Sequence, residues 1–170
     1  MGARALEFAI LTAGRSGEVL GARWAEIDMA ASVWTVPADR MKAGKEHRVP
    51  LTGPALTLLA RLHEVRLSTS LEAYVFASAA PNRPMSSMAM TMVLRRMDRA
   101  ELTVHGFRST FRDWAAEETT APREVAEAAL AHTLADKVEA AYRRSDLFEK
   151  RVSLMSSWAA FCGATWTSNQ

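Results

Sequence analysis

The chain is predicted to fold as a mainly α domain with one small antiparallel β-sheet. Three observations point there. Apolar residues recur at helical spacing over most of the 170 residues, β-branched alternation is confined to one region between residues 32 and 51, and Gly, Pro and polar clusters punctuate the periodic stretches. A chain of 170 residues that is 49% hydrophobic and 24% charged suits one soluble domain able to bury a core. No apolar run approaches the roughly 20 residues that span a bilayer. The opening M-G-A-R-A-L-E-F-A-I-L lacks the long apolar stretch of a secretory signal. A single cysteine, Cys162, precludes an internal disulfide and fits a reducing, cytoplasmic setting, and four histidines without ligand spacing speak against a structural zinc site.

In chain order, Arg4 to Thr12 reads as a helix that breaks at Gly14. A second helix is predicted from Ser16 to Trp24, with Ser16 as N-cap and Glu18 in its first turn. S-V-W-T-V-P alternates as a strand, a polar turn carries Gly44, and H-R-V-P-L is the returning strand. Gly53-Pro54 opens a helix to about Leu67, with Leu56, Leu59, Ala60 and His63 on one face. Tyr74 to Phe76 is a short apolar piece, A-A-P-N-R-P a loop, and Ser86 or Ser87 caps a methionine-rich helix to about Met97. Helices follow at His105–Glu117, Arg123–Ala131 and Asp136–Arg143. The last runs from Leu147 to Phe161 with a stripe of Phe148, Val152, Met155 and Ala159.

Formal charge is only +2, but the cations are overwhelmingly arginine, with lysine only at Lys42, Lys45, Lys137 and Lys150. Arginine's planar fork matches phosphate oxygens in pairs, although a G+C-rich genome enriches arginine as well. Four stretches stand out. In T-A-G-R-S-G-E-V-L, Arg15 lies in a glycine turn at a helix start, where amide donors favour an anion. It is either a ligand residue or an ordinary surface arginine, and Glu18 either holds it or satisfies the helix dipole. In M-K-A-G-K-E-H-R-V-P-L, Lys42 and Lys45 flank a tight turn, where lysines are usually only solvated. In V-H-G-F-R-S-T-F-R-D-W, His105 and Arg108 share one helical face, and Phe107, Phe111 and Trp114 are expected to anchor the opposite one. In L-A-H-T-L-A-D-K-V-E-A-A-Y-R-R-S-D, His132 and Tyr142 share a charged helical segment, with Tyr142 either an amphipathic surface residue or a nucleophile.

T-A-G-R-S-G-E, K-A-G-K-E-H-R-V-P-L, H-G-F-R-S-T-F-R-D-W, L-A-H-T and A-Y-R-R-S-D follow one another as in tyrosine recombinases. The chain most resembles phage-type and genomic-island integrases, from about Ala5 to Cys162. The resemblance implies a tyrosine recombinase catalytic-domain fold, with Arg15 and Arg108 as the two catalytic arginines and Lys42 as the hairpin lysine. It also implies His105 as partner of Arg108 in an H-x-x-R pair, His132 at the histidine-or-tryptophan position and Tyr142 as nucleophile. The expected organisation is one catalytic domain over residues 1–170. Its core is residues 5–146, followed by a C-terminal helix over 147–162 and a tail over 163–170, without N-terminal DNA-binding domains. The implied partner is double-stranded DNA, with a homo-oligomer, a tetramer, on DNA in the full-length protein and a monomeric fragment alone, in a bacterial cytoplasm.

This chemistry suits these residue types. In-line attack on a phosphodiester builds negative charge on non-bridging oxygens, which two permanently charged arginines and a histidine donor can hold. A phenol with a pKa near 10 can attack and later leave, His105 can take its proton, and Lys42 can protonate the departing 5′ oxygen. The resemblance implies no metal or nucleotide cofactor. Two other readings stay open: a type IB topoisomerase-like nicking and resealing activity, and a DNA-binding fragment without catalysis. The family further suggests that the C-terminal helix docks on a neighbouring protomer, the alternative being that it closes its own core.

Overall fold

A computed structural model describes residues 1–80, 83–132 and 146–163. Helix α1 (Gly2–Thr12) leads through Ala13 in the left-handed region (φ 49°) to α2 (Ser16–Leu20) and a 3-10 turn at Trp24–Glu26. Strands β1 (Ile27–Asp28), β2 (Val33–Val36) and β3 (His47–Pro50) form an antiparallel sheet in that order, with Ile27 opposite Trp34 and Trp34 opposite Val49. Helices α3 (Gly53–Glu64), α4 (Ala89–Arg96), α5 (Gly106–Glu117), α6 (Arg123–Ala129) and α7 (Phe148–Gly163) complete the described order. The expected mainly α fold with a small antiparallel sheet is what forms. The hairpin turn needs Gly44, whose φ of 62° is open to glycine at no steric cost.

Two apolar clusters make the core. The first gathers Phe8, Val19, Trp34, Val36, Leu59, Phe76 and Met90 from α1, α2, the sheet, α3 and α4. Phe8 is its centre, with its ring 5.2 Å from Trp34 and 5.4 Å from Phe76. The second joins α5, α6 and α7 through Phe111, Trp114, Val125, Leu130, Met155 and Trp158. Trp158 sits edge-on to Phe111 at 5.3 Å and lies 5.1 Å from Trp114. Its indole Nε1 donates to the Ile10 carbonyl at 2.7 Å, tying α7 to α1.

Several local expectations are corrected. Helix α2 stops at Leu20, and Arg15, not Ser16, is its N-cap: the Glu18 carboxylate accepts the Arg15 amide at 3.1 Å. A third strand, β1, pairs with β2 ahead of the predicted hairpin. On α3 the buried face is Ala55, Leu58, Leu59 and Leu62, while His63 is exposed. The segment holds two overlapping stripes at helical spacing, and packing selects the one without a histidine. On α7 the buried face is Arg151, Leu154, Met155, Trp158 and Ala159, and Val152 is exposed. Burying Trp158 outweighs hiding Val152, and Arg151 is tolerated inside because it donates to the Arg48 carbonyl and, at 2.9 Å, to Asp146. Helix α7 therefore packs on its own domain and closes the second cluster. The helix expected over residues 136–143, with Tyr142, lies outside the described residues.

Candidate active site

Arg15 reaches its position because α1 ends abruptly. Ala13 turns left-handed, and Gly14 fits where a Cβ would meet Val19 Cγ2 at 3.0 Å and Thr12 Oγ1 at 3.1 Å. The chain re-enters helix at once, leaving Arg15 as the cap of α2 with its side chain 29% exposed. Glu18, one turn on, holds it by an ion pair of 2.7 Å between Nη1 and Oε1. The far edge of the guanidinium, Nη2, lies 3.4 Å from the carbonyl oxygens of both Leu130 and Ala131.

Arg108 meets the same place from α5. It is not presented outward opposite an apolar anchor, as the sequence suggested: it is 5% exposed and shares the buried side of α5 with Phe111 and Ala115. A position three residues before Phe111 and seven before Ala115 follows the buried stripe of a helix, so the arginine is drawn in with the ring. Its Nη1 donates to the Ala13 carbonyl and its Nη2 to the Leu130 carbonyl at 2.7 Å. Its Nε is a buried donor with no partner among the described residues. Burial, and then the neighbouring Arg15 charge, lower its pKa to about 10, against some relief from Glu18. It stays protonated at neutral pH, so two guanidinium charges share one carboxylate, Glu18. A cluster with that imbalance favours an anion.

His132 completes the cluster. Helix α6 ends through Ala131 in the left-handed region (φ 50°), and the His132 amide donates to the Glu127 carbonyl at 2.9 Å. The imidazole Nε2 then lies 3.5 Å from Arg108 Nη2, and Nδ1 lies 2.7 Å from Glu127 Oε2. Glu127 also accepts from Arg112 Nε at 2.9 Å and lies 3.7 Å from Arg123 Nε. Burial alone would raise the Glu127 pKa, but hydrogen bonds from Arg112 and His132 outweigh it and hold the carboxylate below its usual range.

Arg15, Arg108 and His132 are thus brought together. Lys42 lies exposed in the turn before β3, and His105 lies exposed at the cap of α5, one turn from Arg108. Neither makes a side-chain hydrogen bond within the cluster among the described residues, and Tyr142 lies outside them. Sequence reasoning missed two residues. Glu127 was readable only as a helix-surface acid. His47 was read as part of a strand, yet alternation along β3 turns it inward. Burial, reinforced by Arg151 and Arg15, lowers its pKa to about 4, so it is neutral at physiological pH.

Residues 2–147 match the phage integrase family. The chain is 41% identical over 152 residues to the prophage integrase IntA of Escherichia coli (strain K12), covering 88% of this chain and 36% of that protein. It is 31% identical over 173 residues to the integrase of Enterobacteria phage P4, covering 92% of this chain and 39% of that protein. It is 30% identical over 156 residues to prophage integrase IntZ of Escherichia coli (strain K12), covering 91% and 38%. The chain therefore spans well under half the length of these relatives. No solved structure matches it. None of the described helices is long and apolar enough to cross a membrane.

Proposed function

The chain belongs to the phage integrase family, and from that premise we propose that it cleaves and rejoins DNA strands through a 3′-phosphotyrosine intermediate. The observation that carries this reading is the meeting of Arg15 and Arg108 at one carbonyl, Leu130 O, with His132 Nε2 3.5 Å from Arg108. Two forked cations and a histidine around a shared point suit the non-bridging oxygens of a phosphodiester, whose charge grows as attack proceeds. The Arg108 Nε–H, without a partner among the described residues, supplies a further buried donor for such an anion.

In this reading the Tyr142 phenol oxygen attacks phosphorus in line. Its proton passes to His105, the P–O5′ bond breaks as the P–O(Tyr142) bond forms, and Lys42 protonates the leaving 5′ oxygen. The phosphodiester energy is kept in the protein–DNA link, so a 5′ hydroxyl can reverse the step and reseal a strand. Residues 5–146 would be the catalytic core and α7 its closing helix. The partner would be double-stranded DNA in the bacterial cytoplasm, with recombination, integration included, requiring several protomers on the DNA.

The decisive test is covalent capture on a nicked half-site. Wild-type chain should become linked to DNA, and Tyr142→Phe should lose the link while keeping DNA affinity, because only the hydroxyl reacts. An adduct that survives in the Phe variant would place the nucleophile elsewhere.

A further inference from the structure

Glu127 has no role in the chemistry set out above, but it makes two contacts to one residue of the site. Its backbone carbonyl accepts the His132 amide at 2.9 Å, and its Oε2 lies 2.7 Å from the Nδ1 of the same histidine. The other carboxylate oxygen is occupied by Arg112 of α5 at 2.9 Å, with Arg123 of α6 at 3.7 Å. The carboxylate is 13% exposed, whereas Arg123 is 83% exposed and lies at the rim. This arrangement spans α5, α6 and the left-handed turn at Ala131, and all of it converges on the orientation of one imidazole.

The chemistry of the pair then determines the ring. An ionised carboxylate can only accept, so Nδ1 must carry a hydrogen. Arg112 and His132 hold Glu127 in that ionised form. With Nδ1 committed, the only free ring nitrogen is Nε2, and it faces Arg108 Nη2 at 3.5 Å. For Nε2 to donate to a phosphate oxygen it must be protonated too. Glu127 sets its carboxylate behind the ring, on the edge away from Arg108.

We propose that Glu127 is a positioning residue, which clamps the Nδ1 edge of His132 and thereby points Nε2–H at the phosphate gripped by Arg15 and Arg108. The role rests on the strand-cleavage reading above, and it differs from a merely structural ion pair between α5 and α6. A structural pair would shift stability and leave the ring untouched.

Two measurements on the 170-residue chain test it. The first is the nitrogen-15 signature of the His132 ring without DNA. Wild type should show the proton on Nδ1, Glu127→Gln should keep that preference through its amide oxygen, and Glu127→Ala should lose it. An unchanged tautomer in Glu127→Ala would sink the proposal whatever the enzyme does. The second is single-turnover adduct formation at saturating half-site DNA. Glu127→Ala should slow it by roughly 10- to 100-fold, bounded by the ~10²-fold that removing one stabilising donor costs, with Glu127→Gln intermediate. In a His132→Ala background the same change should have no further effect, since the ring it positions is gone. Full additivity of the two changes would assign Glu127 to stability alone. Absence of any adduct in wild type would overturn the strand-cleavage reading itself, whereas a wild-type adduct with Glu127→Ala unimpaired would overturn only the positioning role.

Discussion

Arg108 is where the cost and use of a buried charge meet. It stays inside because carbonyls of Ala13 and Leu130 accept its hydrogens, and its planar fork binds both while Nε has no partner among the described residues. Lysine cannot reproduce that geometry. Arg108→Lys should therefore slow adduct formation by about 10²-fold or more and leave a carbonyl unpaired, costing roughly 1–3 kcal/mol of stability. Near-wild-type cleavage by the lysine variant would show that charge alone suffices. His47 makes a second prediction at this scale. Its folded pKa of about 4 lies below the ordinary 6.5, so the unfolded chain binds a proton that the folded chain refuses between those values. Its contribution is fully present above pH 6.5 and falls as pH drops toward 4, by at most about 3 kcal/mol. The Glu127 carboxylate adds a loss of the same sign only below its reference value of 4.5. Urea unfolding at pH 7.5 and 5.5 should show the difference in wild type, and His47→Gln should flatten it.

At the scale of elements, the termini of helices decide where side chains converge. Left-handed residues at Ala13 and Ala131 end α1 and α6 beside the site, and their carbonyls face Arg108 and Arg15 respectively. Asp98 adopts the same conformation (φ 54°) after α4, exposed, where the Arg99 amide donates to the Leu94 carbonyl at 2.9 Å. Glycine at such a position avoids the Cβ strain of a left-handed residue. Asp98→Gly should stabilise the protein by about 0.5–1 kcal/mol without changing adduct formation. A denaturation midpoint that falls instead would mean that the aspartate side chain contributes more than its backbone strain costs.

At the scale of the whole molecule, the two clusters depend on α7. Trp158 is 2% exposed, packs edge-on to Phe111, against Trp114 and stacked on Phe161, and donates to Ile10 on α1. Its removal opens a large hole and takes away the indole donor to Ile10, leaving that carbonyl only the Ala13 amide at 3.2 Å. Trp158→Ala should cost about 3–5 kcal/mol, a large share of the ~5–15 kcal/mol typical of a domain, and truncation after Asp146 should unfold the chain. A variant losing under about 1 kcal/mol would return the helix to the role of a tail available to another protomer.

The sequence alone determined the secondary-structure class and the hairpin, and the resemblance carried by its motifs singled out Arg15 and Arg108. These follow from local periods, turn residues and short motifs that act over a few positions. Glycine at residue 44 specified the turn, and T-A-G-R-S-G-E placed Arg15 at a helix start whatever lay around it. Which faces of α3 and α7 turn inward was decided only by tertiary packing. The α3 segment carried two apolar stripes at equal spacing, and α7 buried an arginine where local reasoning buried Val152, because Trp158 needed the space. The same holds within the site. Arg108 and Leu130 lie 22 residues apart, and Arg15 and Leu130 115. Neither spacing contains a period that signals contact. Glu127 was legible as a helix acid, but its bond to His132 depends on a left-handed turn at Ala131, a residue whose sequence carries no mark of that conformation.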